Sequence, residues 1–186
     1  MKRALDIIGG MAGLLVLSPL LLGLAIAVRL ESLGPALHWS RRVGRKNRIF
    51  LMPKFRTMRT DTPDVATHLL VDPDRWVTGL GAVLRRYSLD ELPQFWSVLI
   101  GEMSLVGPRP ALFNQYDLVA LRTSAGVHAL RPGLTGWAQI NGRDELPILE
   151  KVRLDQEYLA RMSMRLDLEI LTVTAFSALS GRGVSH

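Results

Sequence analysis

From Ile7 to Val28 the chain reads IIGGMAGLLVLSPLLLGLAIAV without one charged residue. At about 1.5 Å per helical residue, such a run reaches the thickness of a bilayer's hydrocarbon core, about 30 Å. It predicts an N-terminal membrane helix over residues 1–30. Lys2 and Arg3 offer a signal peptide as the alternative, but no small-x-small cleavage site precedes a polar start. Ser18-Pro19 falls in the middle of the run. Pro19 has no N–H for the carbonyl of Leu15 and its ring crowds that turn, while the Ser18 hydroxyl can satisfy a freed backbone group, so the helix is expected to break there. Charge gives a second signal. Lys2 and Arg3 precede the run, and Arg29, Arg41, Arg42, Arg45, Lys46, Arg48, Lys54, Arg56 and Arg59 follow it. Positive residues favour the cytoplasmic side, which places both ends there. A re-entrant helix that bends at Ser18-Pro19 satisfies both facts; a straight span with a tolerated proline is the competing reading.

Beyond the apolar run, residues 31–186 contain no repeat or obvious linker and read as one compact unit. ALHWSRRVGRKNRIFLMPKF predicts a small β-hairpin, with a turn at Gly44–Asn47 and a second arm from Ile49 to Phe55. TDTPDVATHLLVDPD reads as a surface loop with a short helix. Helical patterns follow over Gly79–Arg86, Phe95–Ile100, Leu146–Tyr158 and Leu166–Leu179. The last of these is short and mostly apolar, suited to the bilayer surface or to a buried core. The expected class is an α-rich α+β fold.

Composition narrows the chemistry. With 23 Lys+Arg against 17 Asp+Glu the net charge is +6, which favours an anionic partner. There is no cysteine, which excludes disulfides and thiolate sites, and the four histidines lack zinc-ligand spacing. In this basic chain, RRYSLDELPQFW sets the adjacent carboxylates Asp90 and Glu91 after two arginines and before Pro93. A structural explanation is available: Asp90 could cap the following helix, or Ser88 and Glu91 could form a capping box. A helix start also favours bound phosphate, so capping and catalysis are compatible. Two further stretches, SLVGPRPALF around Arg109 and RPGLTGWAQINGR from Arg131, place a guanidinium beside proline and glycine. Arginine's planar fork suits phosphate oxygens, although each stretch alone reads as a turn.

These residues together resemble the monotopic polyprenyl-phosphate phosphoglycosyl transferases, bacterial sugar transferases of exopolysaccharide, O-antigen and glycan assembly. The resemblance runs through Lys2-Arg3-Ala4-Leu5-Asp6, Ser18-Pro19, RVGR, KFRTM (Lys54 to Met58), LRRYSLDELPQ, GEMSLVGPRP, RPGLTGWAQINGR, LDQEY (Leu154 to Tyr158) and Asp167. It implies a re-entrant helix and an enzyme on the cytoplasmic face of the bacterial inner membrane, among its lipids. It implies transfer of a sugar 1-phosphate from a UDP-sugar to undecaprenyl phosphate, with release of UMP. Asp90 would be the nucleophile, and Glu91 would hold Mg²⁺, a hard cation suited to carboxylate and phosphate oxygens. Arg85, Arg109 and Arg131 are the expected phosphate contacts, with Lys54 and Arg56 as weaker ones. Downstream glycosyltransferases and a homo-oligomer are compatible partners; the sugar is not legible.

The chain departs from the family pattern at His38-Trp39-Ser40, at Trp76 where an arginine is common, and at Ser97 where asparagine is common. None of these touches the carboxylate pair. Two other classes compete. A membrane-tethered nucleic-acid binder would use the basic stretch Arg41–Arg59, but no helix-turn-helix, zinc or stacking signature accompanies it, so no nucleic-acid partner is expected. A non-catalytic membrane scaffold would leave the carboxylates and arginine-glycine turns unexplained.

Overall fold

A computed structural model describes residues 1–62, 73–142 and 146–180. Residues 63–72 of the predicted TDTPDVATHLLVDPD loop and the arginine that closes RPGLTGWAQINGR lie outside the described residues. Helix α1 runs from Lys2 to Glu31. Its helical conformation continues through Pro19, so the expected break does not interrupt the helix. The Ser18 hydroxyl donates to the Leu15 carbonyl at 2.8 Å, taking the acceptor that proline leaves without a donor. Around this point Leu15, Val16, Leu20 and Leu22 are exposed.

Both ends of α1 are fastened to the rest of the chain. At the start, the Arg3 guanidinium donates to the carbonyls of Val98 and Leu99, each at 2.7 Å. Buried Asp6 accepts from the Ser104 hydroxyl at 2.8 Å and from the Leu105 amide at 2.9 Å. Lys2 pairs with buried Asp167 at 2.7 Å. At the far end, Val28 packs in a cluster with Phe55 and Leu84. The Glu31 carboxylate accepts from the Leu80 amide at 2.7 Å.

Strands β1 (Leu37–Val43) and β2 (Ile49–Phe55) form the predicted antiparallel hairpin. A short strand β4 (Ala111–Leu112) extends it along β1. Helices α2 (Gly79–Arg86) and α3 (Phe95–Ile100) match the sequence pattern. Between them lies a 3₁₀ turn over Leu89–Gln94. Strand β3 (Ser104–Val106) pairs in parallel with β5 (Gly133–Thr135). This pairing sets GEMSLVGPRP beside RPGLTGWAQINGR, and its closeness requires glycine: a Cβ on Gly133 would fall on the backbone nitrogen of Gly107.

The remaining helices are α4 (Tyr116–Ser124), the short α5 (Trp137–Ile140), α6 (Ile148–Arg161) and α7 (Met164–Ser180). The main core joins Val98, Met103, Val106, Tyr158 and Ile170, with Leu5 of α1 and Phe95 of α3 packed against it. Helix α7 divides its surface: Leu166 and Ile170 are buried, while Leu168, Val173 and Phe176 are exposed. It therefore combines the two roles considered from sequence, one face in the core and the other apolar and open.

Candidate active site

The Asp90-Glu91 pair sits in the 3₁₀ turn that leads from α2 into α3. Ser88 before it has φ 54°, a left-handed conformation that bends the chain sharply. Neither capping arrangement is made: Ser88 at the head of the turn and Gln94 at the head of α3 form no side-chain cap. The carboxylates are thus not consumed by helix capping. Asp90 is buried, and burial, followed by the charge of Glu91, pushes its carboxyl above the usual range. Lys54, Arg85 and Arg109 pull it back, without cancelling that rise.

Glu91 shows the opposite balance. Burial pushes its carboxyl up, but Arg109, Lys54 and Arg42 outweigh that effect and leave it below the usual range. Arg109 grips it with both prongs, Nη2 to Oε1 at 2.6 Å and Nη1 to Oε2 at 3.2 Å. Such a fork fixes a carboxylate in place and keeps it ionised. Adjacent carboxylates are thereby set apart: Glu91 is held as an anion, and Asp90 is the more basic of the two.

Cations reach this turn from three parts of the chain. Lys54 comes from β2, on the strand face shared with Phe50 and Met52 rather than the outer one. Burial and neighbouring Arg42 depress its ammonium pKa, while Asp90 and Glu91 raise it. Arg85, in the last turn of α2, donates from Nε to the buried Thr57 hydroxyl at 2.9 Å. Arg109 follows β3, and its backbone carbonyl accepts from Arg122 of α4 at 2.8 Å. Arg122 is in turn paired with buried Asp155 of α6, Nη2 to Oδ2 at 2.6 Å.

The structure places Lys54, Arg85 and Arg109 near the carboxylates, while two further candidates lie elsewhere. Arg56 donates to the carbonyls of Leu33 at 2.6 Å and Ser32 at 2.7 Å, closing the end of α1. Arg131 donates from Nε to the Gly101 carbonyl at 2.9 Å, beside the α3–β3 turn. Sequence reading missed Arg42, Thr57, Arg122 and Asp155. The RVGR, KFRTM and LDQEY motifs, which contain Arg42, Thr57 and Asp155, were the available signal.

Among the described residues no group of three or more His, Asp and Glu side chains gathers into a metal cage. Mg²⁺ commonly takes one or two protein carboxylates and completes its shell with water and substrate phosphate. Ionised Glu91 and adjacent Asp90 provide that number of carboxylates. Arg109 holds both Glu91 oxygens, so a cation there shares or displaces one prong of the fork.

Comparison with known proteins agrees with this arrangement. The family model for bacterial sugar transferases matches residues 1–181. An undecaprenyl-phosphate glucose phosphotransferase of Komagataeibacter xylinus is 44% identical over 184 residues, covering 93% of this chain and 35% of the relative. A UDP-glucose:undecaprenyl-phosphate glucose-1-phosphate transferase of Escherichia coli K12 is 41% identical over 183 residues, covering 95% of this chain and 39% of the relative. The exopolysaccharide production protein PSS of Rhizobium leguminosarum is 37% identical over 201 residues, covering 98% of both chains. The chain spans less than half the length of the first two relatives and nearly the whole of the third. With a family match over almost its entire length, the chain, whose carboxylate pair sits among several cations, belongs to the bacterial sugar transferase family.

Proposed function

We propose that this protein is a phosphoglycosyl transferase that moves a sugar 1-phosphate from a UDP-sugar to undecaprenyl phosphate through an Asp90 intermediate. The relatives' names supply the donor and acceptor classes. One observation carries the chemical reading: Asp90 is buried among Lys54, Arg85 and Arg109, while its neighbour Glu91 is pinned by Arg109. A diphosphate and a lipid phosphate repel each other and any attacking carboxylate, and this ring of cations offsets that repulsion. In the first half-reaction, an Asp90 carboxylate oxygen bonds to the sugar-bearing phosphorus. The bond from that phosphorus to the bridging oxygen breaks, and UMP leaves with the bridging oxygen. In the second, a phosphate oxygen of the polyprenyl acceptor bonds to the same phosphorus and the Asp90 carboxylate is released. Glu91 would hold Mg²⁺, which when bound would neutralise charge on the phosphate oxygens.

The membrane arrangement follows from α1. A helix that crosses a bilayer separates its ends by the whole hydrocarbon thickness, so one folded body cannot bind both. Here Arg3 binds α3 and Arg56 binds the chain just after α1, both in the same body. This supports a re-entrant helix whose two ends share the cytoplasmic side of the inner membrane, with the catalytic residues facing the cytosol. The Ser18–Leu15 bond satisfies the carbonyl that Pro19 leaves without a donor inside this apolar helix.

The test is a single-turnover assay of protein in nanodiscs with UDP-sugars, Mg²⁺ and no acceptor. UMP should appear at up to one equivalent per site, with a phospho-sugar adduct on the Asp90 peptide by mass spectrometry. Asp90→Asn should abolish both, and Glu91→Gln should slow UMP release in a manner partly restored by high Mg²⁺. Near-normal turnover by Asp90→Asn, or UMP that appears only with both substrates and no adduct, would replace the covalent route with direct transfer.

A further inference from the structure

A second basic cleft lies apart from the carboxylate pair. It occupies about 440 Å³ between the hairpin tip and the α3–β3 turn, and its charged lining is Arg45, Lys46, Arg48, Arg131 and Glu102. Four cations therefore face one acid, and burial pushes that acid's carboxyl above its usual range. Two of the cations are held in place. Arg131 donates from Nε to Gly101 O at 2.9 Å, and Arg45 donates from Nε to Ala129 O at 2.9 Å. Each guanidinium is thus oriented by backbone while its two Nη groups stay outside that bond, a prearranged pair of forks suited to phosphate oxygens. At the hairpin tip, Lys46 and Asn47 adopt φ 56° and 59°, a left-handed conformation that asparagine tolerates and lysine disfavours.

The position of the cleft identifies the source of the phosphate. Gly101 directly follows α3, and the carbonyls of Val98 and Leu99 in α3 bind Arg3 at the start of α1. The cleft therefore opens beside the end of the apolar helix. Ile49 in the cleft wall is half exposed, as are Trp96 and Ile100, one helical turn apart on the α3 helix that leads into Gly101 of the cleft. Basic side chains next to exposed tryptophan and isoleucine form the pattern of a membrane–water boundary. The charges that act on Asp90 and Glu91 come from Lys54, Arg85, Arg109 and Arg42, not from this cleft. A phosphate held in this cleft would therefore meet a set of cations separate from those at the carboxylates.

We propose that the cleft formed by Arg45, Lys46, Arg48 and Arg131 is a binding site for the phosphate headgroup of an anionic glycerophospholipid. Its acyl chains would lie along Trp96, Ile100 and α1. The proposal rests on α1 being embedded in the bilayer. It makes the surrounding lipid a bound component that holds the hairpin tip to the membrane, independently of the substrates.

The test uses the full chain in nanodiscs of equal phosphatidylglycerol and phosphatidylcholine, followed by native mass spectrometry of the released protein. The wild type should retain phosphatidylglycerol in preference to phosphatidylcholine. In Lys46→Gln/Arg48→Gln, whose altered side chains make no hydrogen bond or ion pair among the described residues, that preference should fall by about 30-fold, on the order expected for two basic residues at a lipid surface. UMP release by this variant should be unchanged. Adding inorganic phosphate at millimolar concentration distinguishes the two phosphate sources. Displacement of phosphatidylglycerol by phosphate would assign the cleft to a soluble anion and overturn the lipid reading. Equal retention by the variant, or no preference in the wild type, would also overturn it. Failure of both proteins to enter nanodiscs would overturn the membrane reading of α1 and this proposal with it.

Discussion

Arg122 offers a perturbation that separates folding from site geometry. Its guanidinium donates through Nε to Asp155 Oδ2 at 2.8 Å and through Nη1 to the Arg109 carbonyl at 2.8 Å. The side chains of Arg122 and Asp155 are only 11% and 2% exposed, so the pair is a buried one. Arg122→Met leaves Asp155 charged and unpaired, at a cost of about 3–5 kcal/mol. At roughly 2–4 °C per kcal/mol for a chain of this size, the unfolding midpoint should fall by about 6–20 °C. Burial already pushes the Asp155 carboxyl up against the pull of Arg122, and removal of Arg122 raises it further. A raised carboxyl opposes folding above both its pKa values and stops doing so below the unfolded value of about 3.9, so the deficit should shrink as pH falls.

In Arg122→Met/Asp155→Leu no buried charge remains, and the midpoint should return to within about 1 kcal/mol of the wild type. UMP release should not return with it. The Arg109 carbonyl still lacks its donor, the fork on Glu91 loosens, and a misplacement of this kind costs roughly 10–100-fold in rate. Intrinsic tryptophan fluorescence during heating in nanodiscs reads the first quantity, and single-turnover UMP release reads the second. A double variant that recovers both would show that Arg122 serves folding alone. A single variant destabilised by less than about 1 kcal/mol would refute the buried-pair account itself.

Asp90→Asn should raise the unfolding midpoint at neutral pH while abolishing activity, because the raised wild-type carboxyl opposes folding above its pKa; the gain should vanish near pH 4, and a lower midpoint at pH 7.5 would contradict this. Cysteines introduced at Lys2 and Asn47 should both be protected from impermeant reagents added to intact cells, whereas periplasmic labelling at Lys2 alone would eliminate the re-entrant arrangement. Ile170→Ala, in the core, should cost about 2–5 kcal/mol by thermal unfolding. Phe176→Ser, on the open face of the same helix, should cost little stability and weaken membrane association in vesicle flotation; the reverse ranking would invert the reading of α7.

Local pattern made much of this fold legible. Alternation and a turn gave β2 its limits at Ile49 and Phe55, and the missing proline N–H identified Leu15 O as the acceptor for Ser18. Where the sequence failed to separate site from scaffold, the deciding information was tertiary. Lys54 and Arg56 are two residues apart and share a face on an ideal strand. The strand ends at Phe55, however, so Arg56 leaves the sheet and turns to the end of α1. Arg109 and Arg131 have the same Pro-Gly surroundings, yet one reaches Glu91 and the other Gly101. The parallel β3–β5 pair makes that choice, and neither three-residue strand has a hydrophobic period long enough to announce itself. Asp155 was hidden for a different reason: on a helix an acid reads as a solvated charge until its buried partner is known.

The apolar helix and the carboxylates are also joined more directly than their separation in sequence suggests. Gln94 is both the last residue of the Asp90-Glu91 turn and the residue before α3. The next residue, Phe95, lies so close to α1 that a Cβ at Gly13 would come within 2.8 Å of its ring. On the re-entrant reading proposed above, the depth of α1 in a bilayer sets the height of the carboxylates, since Phe95 joins the turn to α1 directly. A phosphate carried on a polyprenyl chain is confined to the bilayer surface, so a nucleophile on a mobile linker would meet it at variable height and lose the alignment that in-line attack requires. The small residues of α1 do more than shape a membrane helix: they let α3 approach closely enough to fix that height.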